Sequence, residues 1–90
     1  MIFKQNPDVL KNSFLTPVEK LIYLYCIPWI NWRLKSKEKH TTFYFGYVAK
    51  QLGLTATEVK RSFLNLNEVG ALISSPLKTG VNVFHDVEDK

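Results

Sequence analysis

The sequence predicts one small α+β domain that is mostly helical and carries a single β-hairpin. A T-x-x-E pattern occurs twice, each time before apolar residues at helical spacing, and two β-prone segments flank a turn near the C-terminus. The chain has 90 residues, of which 46% are hydrophobic and 22% charged, an ordinary globular balance. A chain of this length forms one domain with a thin core.

The first predicted helix begins after Thr16. Thr16 suits the N-cap, Pro17 suits the first helical position, and Glu19 completes a capping box. Pro28 removes a backbone hydrogen bond and disfavours helix at the residue before it, so we expect this helix to end or kink near residues 26–27. Apolar residues at helical spacing predict its buried stripe: Val18, Leu21, Ile22, Tyr25 and Trp29.

Residues 30–40 mix basic and apolar side chains and are consistent with a helical extension followed by a basic loop. Residues 41–43 predict a short β segment. Leu24 and Ile27 fall outside the predicted stripe, so we expect them to pack on the N-terminal segment or to face a second subunit. Four aromatic residues of this region are expected in the core rather than stacked on bases: Trp29, Trp32, Phe43 and Phe45.

The second and third predicted helices are joined by a tight turn. The second covers about residues 44–52 and ends at Gly53, and the third begins after Thr55, where Glu58 completes another capping box. Gly70 has the position of a helix-ending glycine. Each helix has one apolar face: Phe45, Val48, Ala49 and Leu52 in the second, and Val59, Phe63, Leu66 and Val69 in the third.

Two β-prone segments, residues 71–75 and 81–85, flank a loop with the length and turn residues of a hairpin. We therefore divide the chain into an N-terminal leader over residues 1–15, a folded domain over 16–85 and an acidic tail over 86–90. The leader contains scattered apolar residues, which make it a candidate dimerisation arm.

Positive charge is concentrated in the middle of the chain. The net charge is +4, yet residues 31–61 carry seven basic and two acidic side chains, whereas residues 86–90 carry three acids and one base. A basic middle with an acidic tail indicates an anionic partner that touches the middle, or alternatively a solvated basic surface.

Catalytic, metal-binding and membrane functions find no support in the sequence. Cys26 is the single cysteine, and His40 and His85 show no ligand spacing with it, so we expect no metal and no cofactor. No nucleophilic triad, phosphate-binding glycine loop or carboxylate pair is recognisable, so we expect no enzymatic activity. The longest apolar stretch, residues 21–32, is too short to cross a bilayer and no signal peptide is recognisable, so we expect a cytoplasmic protein.

Residues 46–73 resemble a winged helix-turn-helix domain. Typical of that family are an alanine in one helix, Gly-Leu-Ser/Thr at the turn, then Thr/Val and Arg in the next helix, and a leucine and a glycine before apolar residues. In this sequence the pattern is present at Ala49, Gly53-Leu54-Thr55, Val59, Arg61, Leu66 and Gly70-Ala71-Leu72-Ile73. Residues 15–25 are similar to the first helix of the same domains. The resemblance therefore covers residues 15–85 and implies a three-helix core with a hairpin wing.

The resemblance implies that the third helix, about residues 56–69, enters the major groove of double-stranded DNA with the 71–85 hairpin as the wing. Base contacts are expected from its exposed face, with Arg suited to guanine and Asn to adenine: Thr57, Arg61 and Asn65. Phosphate contacts are expected from both helices, the hairpin loop and the basic segment: Tyr47, Lys50, Gln51, Lys60, Lys78, Arg33, Lys35 and Lys37.

Domains of this family occur in bacterial, plasmid and phage replication and regulatory proteins. The resemblance thus implies a transcriptional regulator, or a replication or partition protein. We infer a homodimer from the surplus apolar residues of the leader and from Leu24, Ile27, Ile30 and Trp32. One alternative is a winged-helix module that binds protein rather than DNA, indicated by Leu64 on the outer face of the third helix. Another is the DNA-reading part of a longer initiator.

Overall fold

The computed structural model describes residues 3–85, and the predicted acidic tail, residues 86–90, lies outside them. The described residues form four α-helices and one three-stranded antiparallel sheet, which confirms the predicted α+β class. In chain order the elements are α1 (Pro7–Lys11), α2 (Pro17–Lys35), β1 (His40–Tyr44), α3 (Phe45–Leu52), α4 (Ala56–Glu68), β2 (Ile73–Pro76) and β3 (Gly80–Phe84).

The sheet places β3 between β1 and β2, so the predicted β segment after the first long helix joins the hairpin as a third strand. β1 pairs antiparallel with β3, with His40 opposite Phe84 and Tyr44 opposite Gly80. The hairpin loop, residues 77–79, therefore lies at the Tyr44 end of β1. A Cβ at Gly80 would collide with the backbone of β1, so the close approach of the two strands requires glycine there.

The helix α2 continues past Pro28 to Lys35, so the predicted end near residues 26–27 is wrong and the predicted helical extension is confirmed. Pro28 has no N–H and leaves the carbonyl of Leu24 without its helical donor. Both residues lie on the exposed side of α2. Because the buried side packs without interruption along the helix, tertiary contacts outweigh the loss of one hydrogen bond.

The buried face of α2 also differs from the predicted stripe. Ile22 is buried, but Leu21 and Trp29 of that stripe are exposed. Apolar residues surround this helix on all sides, so their spacing does not select one face. The residues that α2 buries are Glu19, Ile22, Tyr23, Cys26, Ile30 and Leu34.

The leader packs on α2 of its own chain. The N–H of Asn6 donates to the hydroxyl of Tyr23 at 2.8 Å. The N–H of Phe3 donates to Oδ1 of Asn31 at 2.6 Å, and Nδ2 of Asn31 donates back to the Phe3 carbonyl at 3.1 Å. Ile27 lies one turn from Tyr23 and one turn from Asn31 and packs against the core, so it lies on the side of α2 that carries the two contacts with the leader.

The four aromatic residues expected in the core divide into two pairs. Phe43 is buried and Phe45 packs against the core, which confirms these two. Phe43 stacks on Phe63 with ring centroids 5.7 Å apart, and this contact joins the sheet to α4. Trp29 and Trp32 are exposed, so the prediction is wrong for them, because α2 turns its other side to the core.

Replacing Pro28 with alanine should stabilise the protein. Alanine restores the N–H that bonds to the Leu24 carbonyl and removes a residue that costs a helix interior about 3 kcal/mol. We expect the free energy of unfolding in urea to rise by up to about 3 kcal/mol with an unchanged m value. Pro17→Ala is the matched control and should bring no such gain, because proline suits the first helical position. A less stable Pro28→Ala protein would contradict this account.

Candidate nucleic-acid interface

The turn between α3 and α4 is set by Gly53. Its φ of 70° lies in the left-handed region that favours glycine, and the next residue, Leu54, donates its N–H to the carbonyl of Ala49 at 2.9 Å. Ala49 is buried. The predicted end of the second helix at Gly53 is therefore confirmed, and the chain reverses within a few residues.

Thr55 and Glu58 form the predicted capping box at the start of α4. Oγ1 of Thr55 accepts the N–H of Glu58 at 3.1 Å, and Oε1 of Glu58 accepts the N–H of Thr55 at 2.9 Å. The hydrogen bond from the Thr55 N–H is the largest cause that lowers the pKa of the Glu58 carboxyl, and the Thr55 side chain and the charge of Arg61 lower it further. The cap determines where α4 begins and therefore which residues occupy its first turn.

One face of α4 is anchored in the core. Val59, Phe63 and Leu66 are buried, as predicted. Val69 is exposed, contrary to prediction, because α4 ends one residue earlier and Val69 is its C-cap. Gly70 follows with a φ of 77°, which confirms it as the helix-ending glycine.

The opposite face of α4 is open to solvent. Lys60 and Arg61 lie on either side of it, and Leu64 is 52% exposed near its middle. The exposed residues of the first three turns that are candidates for contact are Thr57, Lys60, Arg61 and Leu64. The structure therefore brings two predicted base contacts and one predicted phosphate contact together on one accessible surface.

Asn65 is turned toward α2 instead. Its Nδ2 donates to Oε2 of Glu19 at 2.5 Å, and Glu19 is only 4% exposed. The other carboxylate oxygen of Glu19 accepts the N–H of Thr16 at 2.8 Å in the capping box of α2. The T-x-x-E pattern predicts this cap, but the bond to Asn65 depends on how α2 and α4 pack, so no local pattern signals it.

The remaining predicted contacts outside the segment before β1 are exposed on α3 and on the hairpin. The exposed side of α3 carries Tyr47, Lys50 and Gln51. Lys78 is exposed on the hairpin loop, which is held close to α3 by a 3.0 Å hydrogen bond from the N–H of Phe45 to the carbonyl of Thr79. A loop this short projects little beyond the sheet.

A narrow groove of about 60 Å³ separates α4 from the hairpin. Lys60 and Leu64 line it on the helix side, and Pro76 and Leu77 line it on the hairpin side. The surface beside the basic residues of α4 is therefore apolar.

Three predicted phosphate contacts lie in the segment before β1: Arg33, Lys35 and Lys37. Arg33 pairs with Glu38 at 3.3 Å, and the two lysines are exposed. The segment enters β1 at its His40 end, whereas the hairpin loop with Lys78 lies at the opposite end. The structure therefore separates these residues from the hairpin.

Three further features concern the function classes that the sequence disfavours. None of the helices within residues 3–85 has both the length and the apolar character needed to cross a membrane. In the same part of the chain, no group of three His, Cys, Asp or Glu residues is arranged to hold a metal ion. Cys26 is fully buried, and burial raises the pKa of its thiol far above the ordinary value, so no reactive thiolate forms at neutral pH.

Comparisons with protein-family models, with curated proteins and with solved structures give no match.

The cap of α4 should make stability sensitive to acid. Because folding lowers the pKa of Glu58, its carboxylate stabilises the folded chain above the unfolded-state value near 4.5, and this stabilisation is lost as pH falls through the lower folded-state value. We expect the NMR titration of the Glu58 carboxyl to have its midpoint below 4.5. Glu58→Gln should lose part of the acid sensitivity of unfolding, whereas Glu68→Gln, at the other end of α4, should keep it. Equal acid sensitivity in both variants would exclude this role.

Proposed function

We propose that the protein is a winged helix-turn-helix domain that binds double-stranded DNA with α4 in the major groove. The observation that carries the proposal is the placement of α4. Buried Val59 and Phe63 anchor one side of the helix, and the capped start presents Thr57, Lys60 and Arg61 on the other. The order helix, strand, helix, helix, strand, strand from α2 onward and the sheet order β1-β3-β2 support it.

Thr57 and Arg61 are the proposed base contacts, since both are exposed near the N-terminal end of α4. The Arg61 guanidinium suits a bidentate pair with guanine O6 and N7. Asn65 is left out of this set, because its amide already donates to Glu19.

The proposed phosphate contacts surround α4 and hold it in the groove. Lys60 supplies one from α4 itself, and Lys78 supplies one from the hairpin loop. The exposed side of α3 supplies the others: Tyr47, Lys50 and Gln51. The basic residues of segment 33–37 contribute long-range attraction only, given their distance from the hairpin along β1.

The proposal includes a homodimer that presents two copies of α4 to half-sites about one helical turn apart. Exposed Leu21 and Leu24 on α2 support it. Ile30 does not, because it is fully buried in its own chain. Such a dimer suits a transcriptional regulator, or a replication or partition protein.

A second candidate function is protein binding through the same surface. Leu64 is exposed on α4 beside Pro76 and Leu77 of the hairpin, and an apolar strip of this kind suits a protein partner better than a phosphate backbone.

Binding to duplex DNA should weaken steeply with salt. The proposed surface holds four cations per chain: Lys50, Lys60, Arg61 and Lys78. If each replaces a counterion, log Kd changes with log salt by about 4 for one chain and about 7 for two, so affinity falls about 10²-fold or 10⁴-fold between about 50 and 200 mM salt. Fluorescence anisotropy of a labelled random-sequence duplex measures this slope. No binding at the lower salt would contradict the proposal and favour a protein partner.

Alanine substitutions of Arg61 and of Lys50 should weaken DNA binding in different ways. Arg61→Ala removes a base contact, so we expect a loss of about 1–3 kcal/mol on a duplex selected for tight binding, with relaxed preference at one base pair. Lys50→Ala removes a phosphate contact, so affinity should fall alike on selected and scrambled duplexes, and the salt slope should shrink by about one. Lys11→Ala, outside the proposed interface, is the charge-matched control. An Arg61→Ala protein that loses equal affinity on both duplexes would exclude base reading by Arg61.

A further inference from the structure

An aromatic groove, formed by α2, β1 and α3, runs along the side of β1 that faces away from β3. It consists of two adjoining cavities of about 330 and 310 Å³, which share Trp29, Thr41 and Thr42. The aromatic residues that line it are Tyr25, Trp29 and Trp32 from α2, Phe43 and Tyr44 from β1, and Tyr47 from α3. The groove lies apart from the exposed face of α4. Of its residues, Tyr47 is a proposed phosphate contact and Arg33 contributes only long-range attraction.

The floor of the groove is the outer edge of a strand. β1 lies at the end of the sheet and pairs only with β3 among the strands of residues 3–85. No other backbone hydrogen bond of that part of the chain reaches residues 41–44. An edge of this kind offers N–H and C=O groups to an added strand.

The walls of the groove include aromatic rings that are exposed to solvent. Trp29 lies between Tyr25 and Trp32, with ring centroids 6.4 Å away in both pairs, because the three residues share one face of α2. Trp32 is 59% exposed, and Tyr47 on the facing wall is 53% exposed. Exposed Trp and Tyr in a concave site are typical of the residues that dominate protein recognition.

Positive charge is distributed unevenly along the groove. Among the described residues that line it, Arg33 alone is charged, and Glu38 at 3.3 Å offsets that charge. The Tyr25 hydroxyl is neutral at neutral pH, and burial raises its pKa further above the ordinary value of 10.0. Beyond the His40 end of β1, however, exposed lysines alternate along segment 35–39. The groove thus suits an uncharged occupant with an acidic end.

The neutral lining, the lysines at one end and the unpaired edge of β1 distinguish a peptide from a nucleic acid as the ligand. A single-stranded nucleic acid needs positive charge along the whole groove, beside the rings on which its bases stack. Here the rings lie in a neutral groove and the lysines lie only at one end. A nucleic acid also makes no use of an unpaired strand edge, whereas a peptide backbone pairs with it directly.

We propose that the aromatic groove binds an extended peptide segment of a partner protein. The segment adds to β1 as an antiparallel strand, so its C-terminal end lies near His40. Apolar side chains at alternate positions enter the groove, and acidic residues near the C-terminal end face the lysines of segment 35–39. This surface is separate from the proposed DNA contacts on α4, so either proposal can fail without the other.

The direction of the added strand provides the first test. The probe is a fluorescein-labelled peptide of about ten residues with Val and Phe alternating with Thr and with a run of Asp at its C-terminal end. The control peptide has the same composition with the Asp run at the N-terminal end. We expect the first peptide to bind the full chain at least about tenfold more tightly in fluorescence anisotropy. Equal affinity of the two peptides, or no binding of either, would overturn the proposal.

A pair of variants locates the site. Trp32→Ala should weaken binding of the first peptide by about tenfold or more, because it removes the most exposed ring of the groove. Phe14→Ala is the matched control, since Phe14 is 87% exposed and does not line the groove. Both positions are at the surface, so both variants should fold, which circular dichroism checks. An equal loss in the two variants would overturn the assignment to this groove.

The same proteins are used to test the alternative occupants of the groove. A labelled oligothymidylate that binds more tightly than the peptide, and that Trp32→Ala releases, would assign the groove to nucleic acid and overturn the proposal. Sedimentation velocity of the chain alone tests for a second copy. A dimer that Trp32→Ala converts to monomer would also overturn it. If the original chain and the Trp32→Ala variant have the same association state, a second copy does not occupy the groove, and this result supports the peptide site.

Discussion

The buried carboxylate of Glu19 is the constraint on which the arrangement of the helices depends. A carboxylate taken from water is costly unless hydrogen bonds replace its hydration. Here one oxygen accepts the N–H of Thr16 and the other accepts Nδ2 of Asn65. Because these donors come from the start of α2 and from α4, the carboxylate is satisfied only when the two helices cross where they do.

This crossing decides what each helix shows to solvent. With Asn65 held against α2 and Phe63 stacked on Phe43, α4 keeps one rotation about its axis, and Lys60 and Arg61 face outward. With Ile22 and Ile30 in the core, α2 turns Trp32 outward beside β1. A basic helix face and a neutral aromatic groove thus arise from one packing arrangement, and their different chemistry suits two different kinds of partner.

The structural features that depend only on residues adjacent in the sequence could be predicted from the sequence. The start of α4 follows from the Thr55 cap, and its limits follow from Gly53 and Gly70, because a cap or a positive φ needs only a few adjacent residues. The exposure of Arg61 could also be predicted from the sequence, since α4 has one clearly apolar face. The end of α2 could not be predicted in this way. Pro28 is a local signal against helix, and long-range packing of the opposite face outweighed it.

The sequence by itself determined the α+β class, the helix caps, the tight turn and the exposure of Lys60 and Arg61 on α4, because each is a local property of a few side chains. Only the tertiary structure decided which side of α2 is buried, since apolar residues surround that helix. It likewise decided that Asn65 binds Glu19 and that Trp29 and Trp32 line a groove at the edge of β1. These outcomes depend on contacts between residues far apart in the chain, and such contacts leave no periodic pattern in the sequence.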